Sequence, residues 1–279
     1  MTVLACPVCD GPLTIGAAAA TCEKAHAFDL ARQGYLNLLL PNKRHSPDPG
    51  DNPEMMRSRR AFLHGGFYDQ MASATNAVVA DVLTGRGEAT VADLGCGEGF
   101  FLKTLKDHLT AAGPQPRNYV GVDISRTGIR MATTYDRTIT WLVASLHHSP
   151  FLPQSIDLVL SMCAPISPDD LRRIVASDGA IVTVTPGPDH LDALRALLYS
   201  SVVPHPPAPA VLADDARFEL SSSSRVRYQV MIDSAAQVMN LLAMTPYYWN
   251  ISLETKARVE AWVRLDLTVD ASINVFRPR

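Results

Sequence analysis

The amino-acid sequence predicts an α/β fold in which a mostly parallel sheet, with helices on both faces, follows a small metal-binding module. Five short apolar runs between residues 90 and 187 alternate with segments of helical composition, which is typical of parallel strands joined by helices. Three cysteines and one histidine crowd into the first 26 residues, where few large apolar side chains could form a core. At 279 residues, the chain is long enough for this module and one large α/β domain.

The N-terminal module is predicted from the spacing of possible metal ligands, C-x2-C-x12-C-x3-H. These ligands are Cys6, Cys9, Cys22 and His26. Three thiols and an imidazole at this spacing can surround one structural Zn²⁺ ion, and the metal would stabilise a segment too short to fold alone. We expect the module to span residues 1–36, with Tyr35 and Leu36 packing on its outer face, and to recognise a macromolecule.

A proline-rich linker is expected after the module. Residues 41–53 contain four prolines, which neither a helix nor a central strand accommodates, and we place the linker at 37–58. From Glu54 the composition becomes helical, with apolar residues at helical spacing up to Gly85. The α/β domain is predicted to occupy residues 59–279.

The apolar runs predict the strands of this domain. Two more runs near the C-terminus predict strands that close one edge of the sheet, and four prolines within residues 200–215 predict a loop. The predicted strands cover residues 90–95, 119–125, 139–145, 156–162, 180–187, 218–232 and 263–279.

The overall charge does not indicate a general affinity for nucleic acid, since the net charge is −3 and the pI is about 6.2. Basic residues are concentrated within residues 42–64, which form either an RNA-binding segment or an ordinary solvated linker and helix face. The candidate RNA-binding residues are Lys43, Arg44, Arg57, Arg59 and Arg60. Cysteine usage suits a reducing compartment, and the absence of a signal peptide or a transmembrane-length apolar run predicts a soluble, cytoplasmic protein.

A glycine-rich turn, D-x-G-x-G-x-G, follows the first apolar run and opens a helix. Glycines let the backbone turn sharply and approach a ligand at the carboxyl end of a strand. Asp123 ends the second strand, where it can hold a ribose diol, cap the next helix, or do both. The order of these motifs favours a Rossmann-like class I S-adenosylmethionine-dependent methyltransferase over a nicotinamide-dependent protein. The predicted cofactor-binding residues here are Asp93, Gly95, Gly97, Gly99, Asp123 and Ser145.

Longer motifs extend along almost the whole chain. They include CPVC with C-x3-H, FDLARQGYLNLL, K-R-x5-G-D, EMMRSRRAFL, DLGCGEG, MCAP, TPGPDHL and LLAMTPYYW. Through them the chain resembles the RlmA-type 23S rRNA (guanine-N1)-methyltransferases, which include tylosin-resistance enzymes. The resemblance implies a zinc-ribbon-like domain before a class I methyltransferase domain, with Zn²⁺ and S-adenosyl-L-methionine as cofactors. It also implies a homodimer that methylates N1 of one guanine in a hairpin loop of large-subunit rRNA.

The resemblance assigns further site residues position by position. It implies metal ligation by the three cysteines and the histidine of the N-terminal module, and cofactor contacts by Gly97, Glu98, Tyr68 and His190. On residue type alone, Tyr68 would be a buried aromatic and His190 a surface residue or helix cap. The run 145–151 departs from the family pattern, so the resemblance assigns no adenine-binding loop there.

Methyl transfer to guanine N1 requires loss of the N1 proton and access to the Watson–Crick edge of an unpaired base. Because transfer from a sulfonium is a direct displacement, the protein contributes mainly positioning. The candidate bases, expected near the carboxyl ends of the strands, are Asp157, His190 and His147, with water as the alternative. Cys163 is interpreted as pocket lining, because N1 needs no covalent activation. A small-molecule methyltransferase and a non-catalytic rRNA-binding module remain as alternative functions.

Overall fold

The computed structural model describes residues 2–41, 49–113, 117–198, 210–262 and 264–279. The strands are β1 (Leu13–Ile15), β2 (Ala19–Cys22), β3 (Ala27–Asp29), β4 (Tyr35–Asn37), β5 (Ala89–Leu94), β6 (Arg117–Asp123), β7 (Thr140–Val143), β8 (Ile156–Met162), β9 (Val175–Pro186), β10 (Phe218–Ile232) and β11 (Leu265–Pro278). The α-helices are α1 (Pro53–Leu63), α2 (Asp69–Val82), α3 (Phe100–Ala111), α4 (Arg126–Ala132), α5 (Pro168–Ile174), α6 (Asp192–Leu198), α7 (Ala210–Ala213), α8 (Ala235–Ala243) and α9 (Leu253–Glu260). A 3-10 helix covers Pro246–Asn250.

An eight-stranded sheet of order β10-β11-β9-β8-β5-β6-β7-β4 forms the centre of the molecule. The six strands from β9 to β4 run parallel, and β11 and β10 extend one edge in antiparallel orientation. All six residues of β5 are buried, because a central parallel strand is covered on both faces. The predicted mostly parallel α/β sheet is therefore confirmed.

Two hydrophobic cores cover the two faces of this sheet. On one face, β5 and its neighbours pack against α2, α3 and α8. On the other face, they pack against α5 and the N-terminal module. The module is thus part of the second core, because its apolar side chains face the sheet.

The N-terminal module contains its own three-stranded antiparallel sheet and joins the α/β domain through backbone contacts. Leu4 forms an antiparallel bridge with Phe151. The amide of Ala5 donates to the carbonyl of Pro150 at 2.9 Å, and the amide of Leu152 donates to the carbonyl of Val3 at 2.9 Å. Phe151 is fully buried, which anchors the module against the sheet.

Strand β4 corrects one prediction about the module. Tyr35 and Leu36 pair with Trp141 and Leu142 of β7, at the edge of the large sheet. The side chain of Leu36 packs with the module in the second core, as expected, whereas that of Tyr35 belongs to the first core instead. Their backbone groups complete the hydrogen bonding of that edge, which a local reading of the sequence does not show. As a result, β4 runs across the predicted module end at residue 36.

Helix α1 likewise runs across the predicted linker end at residue 58. It begins at Pro53 because the side chain of Asn52 accepts hydrogen bonds from the amides of Glu54 and Met55, at 2.9 and 3.0 Å. The candidate RNA-binding residues Lys43 and Arg44 lie outside the described residues.

The predicted loop at 200–215 falls largely outside the described residues, and α7 occupies its described part. Within the described ranges, no helix combines the length and apolar character needed to cross a membrane.

Candidate functional site

Two turns of the N-terminal module bring the four predicted metal ligands together. The Nδ1 atom of His26 lies 3.5 Å from Sγ of Cys6 and 3.4 Å from Sγ of Cys22, and Sγ of Cys9 lies 3.7 Å from Sγ of Cys22. A tetrahedral Zn²⁺ ion places such ligand atoms about 3.5–3.8 Å apart, given its usual bond lengths. The donor set and its spacing therefore fit a closed structural zinc site, as predicted.

Each ligand turn contains a residue in the left-handed backbone region. Asp10 has φ +56° and donates its amide to the carbonyl of Cys6 at 2.8 Å, while Ala25 has φ +61° and donates to that of Cys22 at 2.9 Å. Non-glycine residues adopt this conformation at an energetic cost, which bonds from the metal to both turns would offset.

The glycine-rich turn connects β5 to α3 at the carboxyl edge of the sheet. Gly95, Gly97 and Gly99 all have positive φ, of +86°, +55° and +93°. A Cβ atom added to Gly95 would lie 2.3 Å from Cβ of Ala164, so only glycine fits there. The backbone can therefore approach a ligand closely at this edge.

Asp123 holds the turn from the neighbouring strand β6. Its carboxylate accepts hydrogen bonds from the amides of Gly97 at 2.8 Å and Ser125 at 2.7 Å. Burial raises the pKa of Asp123, and the two amides oppose that rise. The side chain that caps helix α4 is that of Ser125. Each carboxylate oxygen of Asp123 accepts one amide and keeps a second lone pair, which a ribose hydroxyl would use.

Buried acidic groups near the turn have unused hydrogen-bonding capacity. Both carboxyl oxygens of Asp93 and Oε1 of Glu98 have no hydrogen-bond partner among the described residues. Burial, followed by repulsion from Asp123, raises the pKa of Asp93 to about 8, so this side chain is mostly protonated at neutral pH. Buried polar atoms are normally paired, and these fit a site built for a polar ligand.

Tyr68 and His190, far apart in the sequence, meet in the structure. The hydroxyl of Tyr68 lies 3.1 Å from Nε2 of His190, and both residues are buried. The backbone amide of Asp270 donates to Nδ1 of His190 at 3.2 Å. With Nδ1 acting as acceptor, the neutral imidazole carries its proton on Nε2 and donates it to Tyr68. This tautomer argues against His190 as the base, because Nε2 is already protonated.

The predicted RNA-binding arginines of α1 separate in the structure. Arg57 is exposed, whereas Arg60 donates to Glu98 at 3.1 Å and to the carbonyl of Met131 at 2.6 Å. Arg59 forms an ion pair with Asp51 beside the glycine turn. The RNA contacts of Arg59 and Arg60 stay a prediction: their side chains are 27% and 24% exposed and pair with acidic groups, whereas Arg57 on the same helix is exposed.

Asp157 lies at the opposite edge of the sheet from the glycine turn. It is the second residue of β8, where it accepts a hydrogen bond from the amide of Thr90 at 2.8 Å and pairs with Arg86 at 3.3 Å. The expectation that it lies near the carboxyl ends of the strands is wrong, since β8 begins beside it and runs parallel to β5. Asp157 is thus a structural residue.

The run 145–151 follows β7 and connects the site to the N-terminal module. Ser145 accepts a hydrogen bond from the amide of His147 at 3.2 Å, and the side chain of His147 is exposed. His148 pairs with Asp10 of the module at 3.2 Å. The segment that departs from the family pattern therefore helps to hold the module.

Cys163 directly follows β8 and has φ +53°, and its amide donates to the carbonyl of Val184 at 2.8 Å. Part of the Cys163 side chain is exposed to solvent. The protein around the thiol nevertheless desolvates it and raises its pKa to about 11, and the positive charge of Arg59 partly opposes this rise. A thiol rather than a thiolate is present at neutral pH, which supports the prediction of a lining residue over a nucleophile.

Sequence reasoning did not identify Gly50, Asp51 or the inward role of Arg59. The signal was present in the K-R-x5-G-D motif, whose last two residues sit against the end of β6.

Comparison with known proteins agrees with both parts of the structure. Residues 4–47 match the zinc-ribbon family described as "RlmA, N-terminal", and residues 91–180 match the family described as "Methyltransferase domain". YxjB of Bacillus subtilis (strain 168), named "Putative 23S rRNA (guanine-N(1)-)-methyltransferase", is 30% identical, over 96% of this chain and 94% of that protein. The 23S rRNA (guanine(748)-N(1))-methyltransferase of Streptomyces fradiae is 28% identical, over 99% of this chain and 96% of its own length.

The level and extent of this similarity, together with the zinc ribbon and the methyltransferase sheet, place the chain within one family. It belongs to the RlmA-type 23S rRNA (guanine-N1)-methyltransferases.

Proposed function

We propose that this protein transfers a methyl group from S-adenosylmethionine to N1 of one guanine in a hairpin loop of 23S rRNA. Family membership supports the reaction and the substrate. The observation that carries the cofactor assignment is the pairing of Asp123 with the amide of Gly97, at 2.8 Å, on the carboxyl edge of a parallel sheet.

The proposed cofactor site combines the glycine turn with groups from four other segments of the chain. In this site the carboxylate of Asp123 accepts hydrogen bonds from the ribose hydroxyls. The hydroxyl of Tyr68 accepts a hydrogen bond from His190 and donates its own proton to the ligand. The proposed cofactor-binding residues are Tyr68, Asp93, Gly95, Gly97, Glu98, Gly99, Asp123, Ser145 and His190.

The chain's contribution to the reaction is positioning and exclusion of water. S-adenosylmethionine supplies the methyl group on a sulfonium sulfur that is a good leaving group, so the guanine N1 lone pair can displace it directly. Asp157 is at the wrong edge of the sheet, His190 carries its proton on the nitrogen facing Tyr68, and the side chain of His147 is exposed to solvent. We propose that the N1 proton passes to water in the cleft.

RNA recognition is assigned to the N-terminal module and the segment that follows it. In the proposed division, residues 1–36 recognise RNA, 37–58 link the two parts and 59–279 carry out methyl transfer. Exposed Arg57 contacts phosphate, and Lys43 and Arg44 extend the same basic segment. The target guanine must be unpaired or flipped, which a hairpin loop allows. We also propose a homodimer that acts in the cytoplasm, where its rRNA substrate is found.

Methylation of an rRNA hairpin transcript by the purified, zinc-loaded protein tests this function. Digestion and mass spectrometry should detect N1-methylguanosine, and primer extension should stop at the modified base. Asp123→Ala should weaken donor binding roughly 10- to 100-fold through loss of charge-assisted hydrogen bonds. Asp107→Ala, at an exposed position of α3, is the matched control and should behave as wild type.

Two outcomes of this experiment would redirect the assignment. Methylation of metabolites but not RNA would indicate a small-molecule methyltransferase. RNA and donor binding without turnover would indicate a non-catalytic RNA-binding module.

A further inference from the structure

Arg59 of α1 lies over the glycine turn. A Cβ atom added to Gly97 would come within 3.3 Å of Nη1 of Arg59. The side chain is only 27% exposed, so this guanidinium belongs to the cleft and not to the outer surface of the helix.

The two ends of the Arg59 guanidinium are used differently. Nη2 is held by the carboxylate of Asp51, whereas Nη1 contacts the thioether sulfur of Met56 at 3.6 Å. A thioether is a weak acceptor, and arginine normally binds carboxylate or phosphate oxygens through both ends of its fork. Nη1 therefore faces the glycine turn with most of its donor capacity unused.

The segment before α1 fixes this arrangement. Gly50 has φ +88°, and a Cβ atom there would lie 2.8 Å from Ile124, so only glycine fits against the end of β6. The carbonyl of Asp51 accepts a hydrogen bond from the hydroxyl of Ser125 at 2.9 Å. Asp51 is consequently anchored beside Asp123 and can hold Nη2 while leaving Nη1 free to bind.

We propose that Arg59 binds the α-carboxylate of the methionine part of S-adenosylmethionine, with Asp51 as its positioning residue. This proposal rests on the proposed function. The carboxylate is the only anionic group of that donor, and its ammonium and sulfonium groups would be repelled by a guanidinium. The positive charge of Arg59 also acts on Asp123, Cys163 and Tyr68, so it is central among the groups around the cleft.

An RNA phosphate is the other anion that Arg59 could bind. The structure favours the carboxylate, because Nη1 points to the turn that approaches the cofactor, while neighbouring Arg57 is exposed on α1. The two possibilities differ in which ligand loses affinity when the guanidinium is removed.

Calorimetry with two ligands tests the proposal on the zinc-loaded full chain. S-adenosylhomocysteine contains the amino-acid carboxylate, whereas 5′-methylthioadenosine has the same nucleoside and thioether without it. We expect Arg59→Met to weaken S-adenosylhomocysteine binding on the order of 10- to 100-fold, the usual effect of losing a hydrogen bond between charged groups. Binding of 5′-methylthioadenosine should change by less than about twofold, and Arg59→Lys should lie between wild type and Arg59→Met.

Arg57→Ala is the matched control, because it removes an arginine of the same helix from the exposed side. It should leave the affinities of both nucleoside ligands unchanged and weaken binding of the rRNA hairpin. Asp51→Asn, which releases Nη2, should reduce S-adenosylhomocysteine affinity less than Arg59→Met does. Thermal unfolding and zinc content establish that each variant is folded.

Three results would overturn the role of Arg59. They are equal losses for both nucleoside ligands, an unchanged affinity for S-adenosylhomocysteine, or a loss confined to RNA. In each case the wild-type protein would still methylate the hairpin. If the proposed function itself were wrong, the wild-type protein would not bind the methyl donor, so the two failures are distinguishable.

Discussion

Replacement of Asp93 by asparagine should change how stability depends on pH. Asp93 is 1% exposed, and its pKa is about 8 in the folded protein, chiefly because of burial and secondly because of Asp123. In an unfolded chain an aspartate has a pKa of about 3.9. Because the folded-state pKa is the higher one, the folded protein retains a proton that the unfolded chain releases, and stability falls as pH rises from about 4 to about 8.

The size of this effect follows from the two pKa values. One pKa unit corresponds to about 1.36 kcal/mol, so between pH 5 and pH 8 Asp93 should lower the free energy of unfolding by about 4 kcal/mol. The carboxamide introduced by Asp93→Asn cannot ionise, so the variant lacks this dependence. Relative to wild type, Asp93→Asn should therefore gain about 4 kcal/mol of stability over that pH range.

Urea unfolding of the cofactor-free, zinc-loaded proteins at pH 5, 6, 7 and 8 measures this difference. Groups other than Asp93, including the zinc ligands, affect both proteins and cancel to first order. Asp107→Asn, at an exposed position of α3, should give a curve parallel to that of wild type. If the Asp93→Asn curve were also parallel to wild type, Asp93 would not be a buried, protonated group and our account of the turn would fail.

Three further predictions concern the N-terminal module. Phe151→Ala should destabilise the protein by about 3–5 kcal/mol, since this fully buried ring joins the module to the sheet, whereas Leu220→Ala, at a 48% exposed position, should cost under about 0.5 kcal/mol. Zinc release, followed with a chromogenic chelator, should coincide with unfolding of the sheet, and release at a lower urea concentration would contradict a shared core. Cys22→Ser should abolish stoichiometric zinc binding, measured by elemental analysis, and lower the thermal unfolding temperature. The control Cys163→Ser, outside the metal site, should retain the metal. Retention of zinc by Cys22→Ser would refute the ligand set.

The sequence by itself determined the features that depend on neighbouring residues. The metal site follows from two short turns, since the spacing within each turn limits where Cys6 and Cys9, or Cys22 and His26, can lie. The central strands follow from apolar runs that only a sheet covered on both faces would bury. The glycine turn is equally local, because positive φ angles require glycine there.

Only the tertiary structure decided which distant groups meet. Asp157 is expected near the carboxyl ends of the strands, but it is the second residue of β8, and the parallel register with β5 places it at the amino edge of the sheet. Arg57 and Arg59 are two residues apart, yet the packing of α1 leaves one exposed and turns the other over the glycine turn. Strand register and helix rotation depend on how the whole core packs, and a local pattern contains no information about the partner chain segment.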